Sequence, residues 1–280
     1  MTFQDICKEI AATVDSHGKM VYDEREARAV ARVLVEDVLG LNIADLYGGV
    51  TMESPNADFL RALDLVTQGV PVQYAVGKAL FADRYFKVNK GVLIPRPETE
   101  ELCQWVAEDC KTASTMLDIG TGSGCIAITL ALETNAKVTA WDIADEALDV
   151  AKENAGAHGA DVVVERNDIL TADDDGRRWD VIVSNPPYIC EKEKADMEAN
   201  VLDHEPRLAL FVPDDDPLLF YRAIARYAAF ALKEGGRLFL EVNPIYNNEM
   251  TRMLREEGFC RVEVRKDLYG RERMMKTWKE

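Results

Sequence analysis

Leu117-Asp118-Ile119-Gly120-Thr121-Gly122-Ser123-Gly124 decides the fold class of this chain. It closes an apolar strand read at 115–119 and opens a helix. Its glycines let the backbone turn tightly and let a ligand approach closely. Free amides at a helix start favour negative groups. Taken alone, the loop also serves as a plain tight turn between strand and helix.

Working outward, the pattern alternates. Strands are expected at 137–141, 162–164, 181–184, 237–242 and 260–264, with a further one at 274–278 reached through Tyr269-Gly270. Helices fall between them, such as 145–157 and 217–232, and another follows Glu98 with Leu102, Trp105 and Val106 inward. This alternation predicts an α/β fold with a doubly wound, seven-stranded, mostly parallel sheet. It covers residues 96–280. Residues 1–75 read as a small all-helical domain. Asp23 caps one helix, with Glu26 as its capping-box partner and Gly40 as its stop; Ser54-Pro55 opens another, which Gly69 ends. Between the two, residues 76–95 read as a β-hairpin linker, with strands at 85–88 and 92–94 around Asn89-Lys90-Gly91.

Two further positions carry chemistry. Trp141-Asp142-Ile143 ends the next strand, roughly twenty residues after the glycines, where a carboxylate accepts both hydroxyls of an adenosine ribose. That fits a nicotinamide dinucleotide and S-adenosyl-L-methionine equally. Ser184-Asn185-Pro186-Pro187-Tyr188 follows the apolar strand Val181-Ile182-Val183 and so lies at the carboxyl edge of the same sheet. The Asn185 side chain offers one carbonyl acceptor, and the Pro186 carbonyl is constrained by its proline neighbour. Two convergent acceptors hold the NH2 of an amide or a nucleobase. Tyr188 supplies a flat face for a planar group.

Asn185-Pro186-Pro187-Tyr188 at this place resembles the signature of S-adenosyl-L-methionine-dependent methyltransferases that act on planar amino groups, in nucleic acids or in protein glutamine. Three features narrow the resemblance. Leu93-Ile94-Pro95-Arg96-Pro97-Glu98-Thr99-Glu100, Glu205-Pro206 with Ala209-Leu210, and Lys266-Asp267-Leu268-Tyr269-Gly270-Arg271-Glu272-Arg273 are similar to the release factor glutamine methyltransferase (protein-(glutamine-N5) methyltransferase) family. The resemblance spans essentially the whole chain and is weakest over its first 70 residues. It implies a class I, Rossmann-like methyltransferase fold and N5-methylation of the glutamine in the Gly-Gly-Gln motif of class I peptide-chain release factors. It implies that Gly120, Thr121, Gly122, Ser123, Gly124, Asp142, Asp168, Ile169 and Asn185 contact the cofactor. It implies that Asn185, Pro186, Pro187 and Tyr188 hold the glutamine, with Asn185, Pro186 and Tyr188 the catalytic set. Arg96 and Glu98 shape the pocket rim or lock the domain junction. Asp118 orders the glycine loop.

The chain departs from the family pattern twice. Ile169 follows Asp168 where the family often has Trp or Phe beside the adenine, leaving looser packing there or a bond from Asp168 to the exocyclic amine. Glu241-Val242 continues as Asn243-Pro244, where the family commonly has glycine and then glutamine.

Charge and composition limit the alternatives. The net charge of −17 speaks against stable nucleic-acid binding, since no basic run offsets it. It thereby disfavours an N6-adenine or N2-guanine methyltransferase. A ribosomal-protein glutamine methyltransferase is the nearer alternative, its chemistry being identical. A catalytically idle cofactor-binding adaptor has no need of Asn185–Tyr188. No run of about 18 apolar residues spans a membrane, and the N-terminus lacks the features of a secretory signal. Six cysteines without a CxxC pair, and three histidines, give no zinc spacing and point to a reducing cytoplasm. A monomer is expected, and the helical domain is expected to recognise the release factor.

Overall fold

Met116 and Leu117, Val181 and Ile182, Phe239 and Leu240 are neighbours in sequence, yet in the computed structural model they enter different cores. The first of each pair packs with Leu102, Val106, Ile126 and Leu130; the second packs with Tyr221, Ile224, Leu254 and Met275. Side chains alternate across a strand, so apolar residues at successive positions require cover on both faces. That makes these segments the centre of a sheet clad in helices. The structure describes residues 1–15, 18–42 and 55–279.

The chain divides into two compact units, one of Met1–Lys78 with Asp196–Glu205, the other of Ala79–Ala195 with Pro206–Glu280. The second unit holds the sheet. Its strands are β3 (Thr115–Ile119), β4 (Lys137–Asp142), β5 (Val162–Arg166), β6 (Trp179–Ser184), β9 (Leu232–Glu241), β10 (Val262–Lys266) and β11 (Glu272–Trp278), in the order β10-β11-β9-β6-β3-β4-β5. β3, β4, β5, β6 and β9 are parallel, and β11 runs antiparallel to both of its neighbours. The doubly wound, seven-stranded sheet is therefore as expected. The chain leaves β3 toward β4 and β5, then returns to β6 on the other side of β3. Ligands of such sheets bind at that reversal, beyond the carboxyl ends of the strands. The glycine loop leaves β3 there, and Asn185 leaves β6 beside it.

Two short sheets flank this one. β1 (Lys78–Phe81) pairs with β2 (Arg84–Lys87), and β7 (Ile189–Cys190) pairs with β8 (Phe211–Val212). The hairpin is present, but not between the expected strands. Its turn is Ala82-Asp83, both residues at positive φ (47° and 59°), as a two-residue hairpin turn requires. Neither residue is glycine, so sequence carried no turn signal there. Asn89-Lys90-Gly91 is instead a local turn closed by the Gly91 amide donating to Asn89 Oδ1 (2.8 Å), and residues 92–94 form no strand.

The first unit is helical. Helices Phe3–Ala11, Glu24–Leu39, Ala57–Thr67 and Val72–Val76 bury Ile6, Ile10, Ala31, Leu34, Phe59 and Val66. Asp23 and Glu26 form the expected reciprocal cap, and Gly40 ends that helix in the left-handed conformation. Helix Ala57–Thr67 starts later than expected. Asn56 is its cap, accepting from the Phe59 amide at 2.8 Å, and Pro55 precedes it; Ser54 lies outside the described residues. Helix Ala199–His204 also belongs to this unit, although its neighbours in sequence belong to the other.

Candidate active site

A cavity of about 370 Å³ opens at the reversal point of the sheet. Its lining brings together Gly120, Gly122, Asp142, Asp168, Ile169, Asn185, Pro186 and Pro187, eight of the residues singled out in the sequence. Val92 and Leu93 from the segment after β2, Ile143, Leu208 and Phe220 complete an apolar wall. Among the described residues, no histidine lines it.

The glycine loop is shaped by its own amides. Gly120 and Thr121 donate to the Trp141 carbonyl at 2.9 Å each, which lashes the loop to the end of β4. The Gly122 amide donates to Asp142 Oδ2 (2.9 Å), and the Ala144 amide donates to Asp142 Oδ1 (3.0 Å). These bonds orient the Asp142 carboxylate at the cavity, and each oxygen keeps a second lone pair for a hydroxyl. Asp168 accepts from the Leu170 amide at 2.9 Å, which sets the turn that presents Ile169.

Three loop residues face away from the cavity. Thr121 and Ser123 are buried, and the Thr121 hydroxyl donates to Asp118 Oδ2 at 2.6 Å. Gly124 supports packing instead: a Cβ there would lie 3.0 Å from Ile128 Cδ1 and 3.3 Å from Ala151. Of the run 120–124, Gly120 and Gly122 line the cavity, while the buried side chains of Thr121 and Ser123 leave only their backbone for a ligand. Burial pushes the Asp118 carboxyl up to about 7, although the Thr121 hydrogen bond opposes this.

Sequence reading missed Asn154. Buried in helix Asp145–His158, it donates to the Ser123 carbonyl (2.8 Å) and the Lys87 carbonyl (3.0 Å) and accepts from the Lys87 amide (2.7 Å). One side chain thus ties the glycine loop to the end of β2. An asparagine on a helix face carries no sequence signal of such a role.

Asn185 is held from its amino end. Its Nδ2 donates to Thr99 Oγ1 (3.1 Å), and the Thr99 hydroxyl donates to Glu241 Oε2 (2.6 Å). Tyr188 does not line the cavity. Its hydroxyl donates to Glu241 Oε1 (3.1 Å) and accepts from Arg273 Nη1 (3.2 Å), and Arg273 Nε reaches Asp267 Oδ2 at 3.2 Å. Burial, and then the nearby Glu241 charge, raise the Tyr188 phenol; burial also raises the Glu241 carboxyl. The Tyr188 ring is half-buried against the core, with its hydroxyl engaged. Asn243, one of the departures from the family pattern, donates to the Tyr188 carbonyl at 3.2 Å.

Register explains the meeting. Ser184 pairs with Leu240 across β6 and β9, so the next residues, Asn185 and Glu241, emerge side by side. Thr99 comes from the first turn of helix Pro97–Asp109. Thr99 thus ties the run around it to the Asn-Pro-Pro-Tyr loop. Arg96 precedes that helix, and neither Arg96 nor Glu98 lines the cavity.

A mostly parallel sheet with a glycine loop, a carboxylate at the end of β4 and Asn-Pro-Pro around one cavity defines a methyltransferase of the class I, Rossmann-like type. Residues 98–207 match the family model "Methyltransferase small domain". A methyltransferase structure from Pyrococcus furiosus superposes with a TM-score of 0.53 at 19% identity, covering 69% of this chain and 88% of that one, which supports the fold alone. The release factor glutamine methyltransferase of Bacteroides thetaiotaomicron is 44% identical over 260 residues, covering 91% of this chain and 94% of the relative. That of Flavobacterium psychrophilum is 39% identical over 266 residues, covering 92% and 93%. The chain belongs to the release factor glutamine methyltransferase family. It is a methyltransferase, and its methyl donor is S-adenosyl-L-methionine. The cavity suits that donor: apolar Ile143 and Ile169 for a base, Asp142 for a ribose, and two glycines for close backbone approach.

Proposed function

We propose that this enzyme methylates the side-chain amide nitrogen of the glutamine in the Gly-Gly-Gln motif of class I peptide-chain release factors. The observation that supports this best is one cavity lined by Asn185-Pro186-Pro187 and by Gly120, Gly122 and Asp142, in a chain 44% identical to a release factor glutamine methyltransferase.

S-adenosyl-L-methionine supplies an electrophilic methyl group on a sulfonium. Everything else falls to the chain. Gly120, Gly122, Asp142, Asp168 and Ile169 hold the donor. Asn185 Oδ1 and the Pro186 carbonyl accept the two hydrogens of the glutamine NH2, which aims the nitrogen lone pair at the methyl. An amide nitrogen is a poor nucleophile because its lone pair is delocalised. Holding the reactants at attack distance contributes several kcal/mol, up to roughly 7–11 for ideal geometry. The nitrogen gains positive charge as it attacks, and the two acceptors stabilise that charge. Pro187 stiffens the loop, and Tyr188 anchors its far end. The proton leaves to water after transfer.

In this reading the helical unit recognises the release factor away from the reactive glutamine. The net charge of −17 supports action without stable nucleic-acid binding. None of the described helices is long and apolar enough to cross a membrane. We read the enzyme as a cytoplasmic monomer. The test is methyl-labelled donor with a purified class I release factor and with a Gln→Ala copy of its Gly-Gly-Gln loop. Label in the first alone supports the reading. Label in both, or in neither while the donor binds, overturns it.

A further inference from the structure

We propose that Thr99 and Glu241 are positioning residues that decide which end of the Asn185 amide faces the cavity, and thereby select a carboxamide over a carboxylate. The proposal rests on the function proposed above. Thr99 is 2% exposed and Glu241 1%, so solvent does not compete for their bonds.

A hydroxyl has one proton. At 2.6 Å from Glu241 Oε2, the Thr99 proton is committed to that carboxylate. Thr99 Oγ1 can then only accept from Asn185, and only Nδ2 can donate. Asn185 Oδ1 is left for the cavity, and it takes no other hydrogen bond among the described residues. An amide has nearly the same shape with its two ends exchanged, so packing alone fixes neither orientation. The relay does.

The other Glu241 oxygen does a matching task. Tyr188 accepts from Arg273 and so directs its own proton to Glu241 Oε1. One buried carboxylate therefore holds both ends of Asn185-Pro186-Pro187-Tyr188, through Thr99 at one end and directly at the other. The selectivity follows from the acceptor it leaves exposed. Oδ1 at the cavity pairs with the NH2 of glutamine and repels a glutamate oxygen. With the amide reversed, Nδ2 would pair with a glutamate carboxylate and oppose the glutamine NH2.

The test uses the full-length enzyme, labelled donor and a purified release factor, with donor affinity and melting temperature as controls. Thr99→Val keeps the side-chain shape and removes the hydroxyl. The expected result is a loss of about 10- to 100-fold in kcat/KM, with donor affinity unchanged. Thr99→Ser restores the hydroxyl and most of the activity. Glu241→Gln can donate to Thr99, which frees the Thr99 proton for Asn185 and reverses the amide. A release factor carrying Gln→Glu in its loop should therefore inhibit Thr99→Val and Glu241→Gln more strongly than wild type. Wild-type kcat/KM in Thr99→Val, equal impairment of Thr99→Ser and Thr99→Val, or an unchanged response to the glutamate factor overturns the proposal. If Thr99→Val fails to fold, Glu241→Gln and the glutamate factor decide it. Wild-type enzyme that leaves the release factor unlabelled overturns the substrate reading instead, and this proposal with it.

Discussion

The glycine loop and the Asn-Pro-Pro-Tyr loop meet at one sheet edge but are secured over different distances. The side-chain bonds that shape residues 120–124 come from Asp118, Asp142 and Asn154, which lie 3, 20 and 31 residues from their partners in the chain. Those that hold Asn185 and Tyr188 come from Thr99, Glu241, Asn243 and Arg273, 53 to 86 residues away. Binding a donor common to many enzymes needs backbone amides and a turn, which a short motif supplies. Gripping one particular amide needs a fixed hydrogen-bond polarity, which a short loop cannot impose on itself.

The largest expected effect separates the two loops directly. Asn185→Ala should lower methyl transfer by about 10²–10³-fold, the usual loss when one charge-stabilising group is removed. Donor affinity, measured by calorimetry, should stay within a few-fold of wild type. A donor affinity that collapses along with the rate would show that the loops are not separable.

Asp118 tests the glycine loop through pH. Its carboxyl is raised from 3.8 to about 7 by burial, so the folded protein keeps the proton that the unfolded chain loses. Stability from this group is complete below pH 3.8 and is lost as pH rises through about 7. At ~1.4 kcal/mol per pKa unit, the loss amounts to a few kcal/mol. Asp118→Asn should melt above wild type at pH 8, with the gap narrowing toward pH 5. A gap that does not change with pH would rule out this account.

Gly124 separates packing from ligand contact. At φ 81°, and with Ile128 and Ala151 close by, an alanine there should cost about 2 kcal/mol of stability in denaturant unfolding. The donor affinity of the remaining folded protein should change little. A large affinity loss without destabilisation would place Gly124 at the ligand after all. The smallest effect is expected from Asp142→Ala, about 10-fold in donor affinity for the loss of its hydrogen bonds. The KM for release factor should not move, and a shift in that KM would contradict the separation.

Some of this architecture was open to reading because its cause is local. A central strand such as Val181–Val183 is apolar at successive positions since both faces are covered, and the three glycines of 120–124 mark a turn at positive φ. The hairpin escaped because Ala82-Asp83 adopts a left-handed turn without glycine, whereas Asn89-Lys90-Gly91 offered the stronger but misleading signal. Asn154 escaped because nothing adjacent to it in the chain announces its partners.

From its order of residues alone, this protein determined a doubly wound sheet, the glycine loop, Asp142 and the Asn-Pro-Pro-Tyr motif. Each depends on periodicity, backbone freedom or a contiguous run. Folding alone brought the Tyr188 hydroxyl to Glu241 and the Asn185 amide to Thr99. Strand register and one helix N-terminus bring those groups within hydrogen-bond reach. A hydrogen bond acts over about 3 Å, so the pairing could be settled only once the chain had folded.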